Sequence, residues 1–295
     1  MKIAVIGAGK WGQALYHAFS QKNDVVIHSR TPRDIEHFVT LDEALSCEYL
    51  VMAIPAQSVR QWMEEHFVDK GQKLLVAAKG IETATGAFLN EIYESFVPSE
   101  RIAYISGPSF AAEVMQSLPT ALIVSSHNLS LAEAFADAFP DFIKGYVSDD
   151  VVGAEVSGAY KNVIAIAGGV CDGLGLGNNA RAALISRGLV EMTRFGEAFG
   201  AKTETFLSLG GAGDLFLTAS STLSRNYRVG KGLAKGDSME QILQELGEVA
   251  EGVGTAKALH HIATQKELYL PIATEVYKMI TMGKDPHQSV NDLLR

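Results

Sequence analysis

The chain opens "MKIAVIGAGKWGQAL". A short apolar run, Ile3–Ile6, passes straight into Gly7, Gly9 and Gly12, and the amphipathic stretch "WGQALYHAFSQK" follows. Three glycines at this spacing are a weak signal alone; between a strand and a helix, at the start of a βαβ unit, they commit the chain to one geometry. Gly7 permits the tight turn, Gly9 lets the backbone approach a pyrophosphate, and Gly12 packs the helix closely against the sheet. The helix N-terminus then offers free N–H groups to phosphates. A dinucleotide site is therefore expected around Gly7, Gly9, Lys10, Trp11 and Gly12, against the plainer alternative of a glycine-rich turn without ligand.

The same alternation continues downstream. Strands are expected at Ile3–Ile6, Val25–His28, Leu50–Ile54, Leu74–Ala77, Ile102–Ile105 and Ala121–Val124, with amphipathic stretches such as "AQSVRQWMEEHF" between several of them. Buried apolar strands alternating with helices point to a parallel sheet covered on both faces. After about residue 148 strand signals fade, and helical runs such as "AALISRGLVEMTRFGEAFG" and "TAKALHHIATQKEL" take over. The expected fold is α/β: a Rossmann-type doubly wound domain over residues 1–148, then an all-helical domain over 149–295.

Composition removes several function classes. The 295 residues are 47% hydrophobic and 20% charged, which suits a globular core. A net charge of −9 argues against binding to nucleic acid or an anionic membrane surface. No apolar run approaches the ~18 residues of a membrane span. Cys47 and Cys171 form no disulfide framework and suit a reducing cytoplasm, and the N-terminal apolar run is too short for a signal peptide. The eight histidines lack metal-ligand spacing, so no metal site is expected.

The end of the second strand bears on cofactor choice. An acidic residue there would bind an adenosine ribose hydroxyl. The chain reads "IHSRTPR" instead, and Ser29 with Arg30 suits a 2′-phosphate, which favours NADPH while leaving NADH possible. The alternative is a solvated surface arginine.

Lys161 stands in the apolar stretch "SGAYKNVIAIAGG". At helical periodicity Ser157, Gly158, Lys161, Ala165 and Gly168 share one face, and Ala159, Val163, Ile166 and Val170 share another. Small residues beside the lysine leave room for a ligand or let another backbone come close. A partly dry lysine there is suited to acid–base work; one snorkelling from a packed helix fits the periodicity equally well.

Longer segments narrow the choice. "SGAYKNVIAIAGGVCDGLGLGNNARAALISRG", "GGAGDLFLTASSTLSRNYRVGKG" and "VAEGVGTAKAL" resemble the bacterial NAD(P)-dependent glycerol-3-phosphate dehydrogenases, and "GAGKWG", "AAKGIE" and "SGPSFAAEV" look like that family's N-terminal motifs in the right order. The resemblance covers essentially the whole chain. It implies reversible reduction of dihydroxyacetone phosphate to sn-glycerol 3-phosphate, a role in phospholipid synthesis, and a homodimer.

It also implies roles residue by residue. Lys161 becomes the general acid/base, Lys79 polarises the same oxygen, and Asp214 joins the substrate site, although from sequence alone Lys79 reads as an exposed lysine and Asp214 as a helix N-cap. Asn162, Ser224, Arg225, Asn226, Gly107 and Ser109 are carried over to the substrate, and Lys79, Ala111, Arg225, Val249 and Glu251 to the cofactor. Three features depart from the family pattern: Lys10 where serine is usual, a short stretch between Arg30 and Tyr49, and Gly254 where arginine is common. Two rivals stand beside this reading. One is a related β-hydroxyacid or keto-acid dehydrogenase, disfavoured by the phosphate-suited "SRNYR"; the other is a non-catalytic NADP-sensing module, disfavoured by Lys79, Lys161 and Asp214 occurring together.

Overall fold

The computed structural model describes all residues, 1–295. It begins β1 (Lys2–Ile6), α1 (Lys10–Ser20), β2 (Asp24–His28), α2 (Leu41–Leu45), β3 (Tyr49–Met52), α3 (Val59–His66) and β4 (Lys73–Val76). There follow α4 (Leu89–Glu94), β5 (Ile102–Ser106), α5 (Ala111–Val114), β6 (Thr120–Ser125), α6 (Leu129–Asp137) and β7 (Ile143–Ser148). The rest is helical: α7 (Val151–Gly173), α8 (Gly177–Glu197), α9 (Thr203–Phe206), α10 (Asp214–Ala219), α11 (Arg225–Lys235), α12 (Met239–Leu246), α13 (Glu251–Gln265), α14 (Pro271–Met282) and α15 (Pro286–Leu293).

The chain divides into two compact units, Met1–Lys79 with Leu89–Glu155, and Gly80–Phe88 with Val156–Arg295. Sequence puts a boundary at 148/149, where β7 ends; the contact division falls within α7 and gives residues 80–88 to the second unit.

The first unit holds one seven-stranded sheet in the order β2-β1-β3-β4-β5-β6-β7. The pairs from β2 through β5 are parallel, as expected, but β5 and β6 run antiparallel, with Tyr104 opposite Ser125. The connection between them carries only the four-residue helix α5. β7, "IKGYVS", was not among the expected strands: its alternation is broken by Gly145, and as an edge strand it is largely exposed. Gly145 is small because a Cβ there would lie 2.8 Å from Ala136 Cβ on α6.

Beyond β2 the segment around Phe38 makes a single parallel bridge to Ile27, with Ile27 N–H donating to His37 O and Val39 N–H to Ile27 O. Counted outside β2, this bridge completes the 3-2-1-4-5-6 order of the doubly wound fold. Between Arg30 and Tyr49 the chain forms this bridge and α2 but no full strand. Ile3, Val5, Leu15, Phe19, Ile27, Val51, Leu75 and Phe135 belong to the core of this unit.

In the second unit α7 is the central element. Every residue from Gly153 to Cys171 is buried, so from Val156 onward the helix is packed on all faces. Gly168 and Gly169 let neighbouring helices in: a Cβ on Gly168 would lie 2.5 Å from Ala219 O, and one on Gly169 would overlap Tyr227 O. Of the two roles the small residues could play, close backbone approach is the one seen at these positions. Tyr160, Phe195, Phe199 and Phe88 form an aromatic cluster with ring centroids 5.0–6.2 Å apart. Glu191 on α8 caps α14, accepting from Ile272 N–H at 2.8 Å and Ala273 N–H at 3.3 Å, behind Pro271 at the helix start.

Candidate active site

In the first unit the turn after β1 carries the glycine fingerprint. Gly7 has φ +110, and a Cβ on it would lie 2.5 Å from Ala53 O after β3. Only glycine is at ease in that backbone, and nothing larger fits the approach. A Cβ on Gly12 would overlap Gly7 O, so α1 can sit this close to the turn only with glycine there. Gly9 is different: a Cβ there meets nothing within 4 Å. The turn lies where β1 and β3 diverge in the strand order, the crevice that open α/β sheets use for ligands.

α1 begins with no side-chain cap and no acidic residue in its first turn, so its leading amides are offered to an anion. Trp11 Nε1 donates to Ala77 O at 3.1 Å, tying this turn to the end of β4, and Gln13 Nε2 donates to Ala8 O at 2.9 Å. Lys10 is exposed at the helix start. Ser29 follows β2 directly; its hydroxyl donates to Thr31 O at 2.7 Å, and Arg30 beside it is exposed. These features suit a dinucleotide: an open backbone at Gly9, a helix start with no side-chain cap, and exposed cations at Lys10 and Arg30.

Lys79, Gly107 and Ser109 come together beyond the ends of β4 and β5. Lys79 Nζ donates to Gly107 O at 3.4 Å, and Ser109 Oγ to the same oxygen at 3.1 Å. Gly107 has φ +115, and a Cβ on it would lie 3.0 Å from Ala121 O. That turn aims the carbonyl at which both donors converge. Ala111 opens α5, whose first turn has no side-chain cap. Lys79 is therefore half-buried and held.

In the second unit Lys161 is 7% exposed and Asp214 1%. Lys161 Nζ forms an ion pair with Asp214 Oδ1, and Thr218 Oγ1 lies 3.2 Å from both atoms. Burying an ammonium alone would cost several kcal/mol, and the paired carboxylate offsets that cost. Asp214 is the first residue of α10, after a single π-helical turn over Leu209–Gly213, with its carboxylate turned to the lysine. Its side chain is a lysine partner in this structure. Thr218 was not anticipated; its signal was the four-residue spacing from Asp214, which puts both side chains on one helix face.

Beside this pair runs a chain of amides. Gly252 N–H donates to Asn226 Oδ1 at 2.9 Å, Asn226 Nδ2 to Asn162 Oδ1 at 2.9 Å, and Asn162 Nδ2 to Gly158 O at 3.2 Å. Asn226 thus caps α13, whose own N-cap, Ala250, has no side-chain acceptor. Ser224 caps α11, its Oγ accepting from Tyr227 N–H at 3.3 Å. Arg225 opens α11, half exposed, 3.4 Å from Glu248 Oε2. Val249 is 54% exposed and Glu251 begins α13. Within this unit, then, Lys161, Asp214 and Thr218 form one hydrogen-bonded set and Asn162 and Asn226 another, the two adjoining in the chain at Lys161 and Asn162, with Ser224 and Arg225 next to Asn226. No three or more His, Cys, Asp or Glu side chains gather where they could hold a metal ion.

Known proteins match this arrangement along its length. A family model described as the NAD-dependent glycerol-3-phosphate dehydrogenase N-terminus matches residues 28–132, and one described as the C-terminus of the same enzyme matches residues 150–291. The chain belongs to this family. A protein of Sulfurimonas denitrificans named glycerol-3-phosphate dehydrogenase [NAD(P)+] is 64% identical over 293 residues, with 99% of each chain covered. One of the same name from Nitratiruptor is 60% identical, covering 100% of this chain and 98% of its own. A solved glycerol-3-phosphate dehydrogenase from Coxiella burnetii superposes with a TM-score of 0.91 at 30% identity, covering 100% and 98% of the two chains. No helix is long and apolar enough to cross a membrane.

Proposed function

We propose that this chain catalyses the reversible reduction of dihydroxyacetone phosphate to sn-glycerol 3-phosphate with a nicotinamide dinucleotide, in the cytoplasm, as a homodimer that supplies phospholipid synthesis. The observation that carries the reading is the buried Lys161–Asp214 pair with Thr218, beside the Asn162–Asn226 amides. The bound dinucleotide supplies the hydride. Gly7, Gly9, Lys10, Trp11 and Gly12 hold its pyrophosphate; Ala111, Val249 and Glu251 take further contacts with it, as does Arg225.

Lys161 gives the proton to the carbonyl oxygen in reduction and removes it from the hydroxyl in the reverse direction. Proton transfer by a positioned group is worth about 100- to 10,000-fold. Asp214 and Thr218 fix the ammonium, so the proton leaves along one direction. Lys79, aimed by Gly107 and Ser109, adds positive charge where the carbonyl oxygen gains negative charge. Arg225 forks onto the substrate phosphate, joined by the second N–H of Asn226, which its bond to Asn162 leaves free, and by the Ser224 hydroxyl. Ser29 and Arg30 favour a 2′-phosphate, hence NADPH over NADH.

The direct test is NADPH oxidation by the purified chain with and without dihydroxyacetone phosphate. Oxidation that depends on the substrate supports the reading. Normal NADPH binding with no substrate-dependent oxidation, by either cofactor, overturns it.

A further inference from the structure

One buried carboxyl has no part in these steps. Glu155 lies near the start of α7, six residues before Lys161, and is 6% exposed. Its Oε2 accepts from Asn90 N–H at 3.3 Å, and Leu89 N–H also bonds the carboxyl. These are the first two residues of α4, so a side chain from α7 caps a different helix. Glu91 and Glu94 of α4, Tyr93 of α4 and Tyr104 of β5 surround it electrostatically. The Tyr93 and Tyr104 hydroxyls are buried without a hydrogen-bond partner. A carboxyl among acids is an expensive way to fill space; an apolar side chain of like volume would be cheaper. What the carboxyl adds is an acceptor for α4.

The location gives that acceptor its use. The chain leaves the first unit after Lys79, returns at Leu89, and leaves again after Glu155. The excursion between is closed on itself by the Ile81–Phe88 bridge and held within the second unit by Phe88 packed edge-on against Phe199, ring centroids 5.1 Å apart. Glu155 therefore bonds the residues where one passage ends to the residue where the next begins.

We propose that Glu155 is a positioning residue for the reaction, pinning the start of the helix that carries Lys161 to the first residues of α4. This rests on the reading of Lys161 as the group that acts on the carbonyl oxygen. Misplacement of a reacting group by about 1 Å costs on the order of 100-fold, so a loosened cap is felt in turnover before it is felt in binding.

The test compares full-length wild type with Glu155→Ala, Glu155→Met and Glu155→Gln. It measures kcat and both KM values, with circular dichroism giving the folded fraction. Met fills the volume without accepting a hydrogen bond, and Gln keeps an acceptor. Glu155→Ala and Glu155→Met are expected to lower kcat at least about tenfold while KM for NADPH stays within about threefold, and Glu155→Gln to hold kcat within about threefold of wild type. If Ala does not fold, Met decides alone. Wild-type kcat per folded Met variant, or a Gln variant as slow as Met, overturns the proposal. A wild type with no dihydroxyacetone phosphate reductase activity overturns the parent reading and this one together.

Discussion

The fingerprint turn and the lysine helix both depend on glycine, and use it in opposite senses. At Gly9 the missing side chain leaves protein atoms more than 4 Å away, so backbone is laid bare for something from outside. At Gly168 and Gly169 it lets the backbones of α10 and α11 press against α7. Polar groups follow the same division. The first turn of α1 carries no side-chain cap, whereas around Lys161 charges and amides are matched to one another inside the unit. On the proposed reading, the first region is completed by a ligand. The other is completed by its own residues and must give up some of that matching to act.

The largest effect expected from this contrast lies at Lys161. Lys161→Ala should lower kcat by roughly 100- to 10,000-fold, because the proton donor is gone, while KM for NADPH stays within a few-fold. Steady-state kinetics with dihydroxyacetone phosphate decide it, and near-wild-type kcat would sink the assigned role. The variant also leaves Asp214 buried without its cation, at a cost of about 3–5 kcal/mol, so the melting temperature should fall as well.

The two glycines of the fingerprint should separate cleanly. Gly12→Ala places a methyl on Gly7 O, and α1 must move; thermal unfolding should show a loss of about 1–3 kcal/mol. Gly9→Ala meets no protein atom, so stability should change by less than about 0.5 kcal/mol while NADPH affinity falls. Equal stability losses in both variants would break the distinction between packing glycine and binding glycine.

These regions also differ in how far a reader of the sequence can go. The fingerprint acts within a dozen residues, and strand, turn and helix each announce themselves locally. The Lys161 site joins residues 53 and 64 positions apart, to Asp214 and Asn226, and helical periodicity reports only which face Lys161 shares. Resemblance carried Asp214, Asn162 and Asn226 to the substrate site; the pairing of Asn226 with Asn162 comes from the fold. Thr218 escaped because its role depends on where α10 lies against α7. β7 escaped because an edge strand broken by glycine lacks an apolar alternation, and the antiparallel β5–β6 step because an apolar run does not report the direction of its strand. Glu155 escaped because nothing local marks it as the cap of a helix some sixty residues earlier.

Glu155 gives a prediction that depends on pH. Burial pushes its carboxyl up from 4.5 to about 8. Between those values the folded chain keeps a proton that the unfolded chain has released, so stability is fullest below about 4.5 and is lost as pH rises to about 8. The loss attributable to this group reaches up to roughly 5 kcal/mol. Glu155→Gln should remove its share of the slope, which denaturant unfolding at pH 5, 6.5 and 8 would measure. Parallel stability curves for the two proteins would mean that the carboxyl ionises in the fold much as it does in water.

The smallest expected effect concerns the exposed end of the proposed cofactor site. Arg30 stands in solvent just after β2, and Ser29 beside it already spends its hydroxyl proton on Thr31 O. An exposed charge contributes little until a ligand brings its partner, and salt screens it thereafter. Arg30→Ala should therefore leave kcat and stability unchanged and lower kcat/KM for NADPH about fivefold, just under 1 kcal/mol, with NADH unaffected. The loss should shrink as salt is raised, because the contact is made at the surface. Equal kcat/KM for the two cofactors in the wild type would remove the preference altogether, and with it the idea that this turn, like Gly9, is completed only by its ligand.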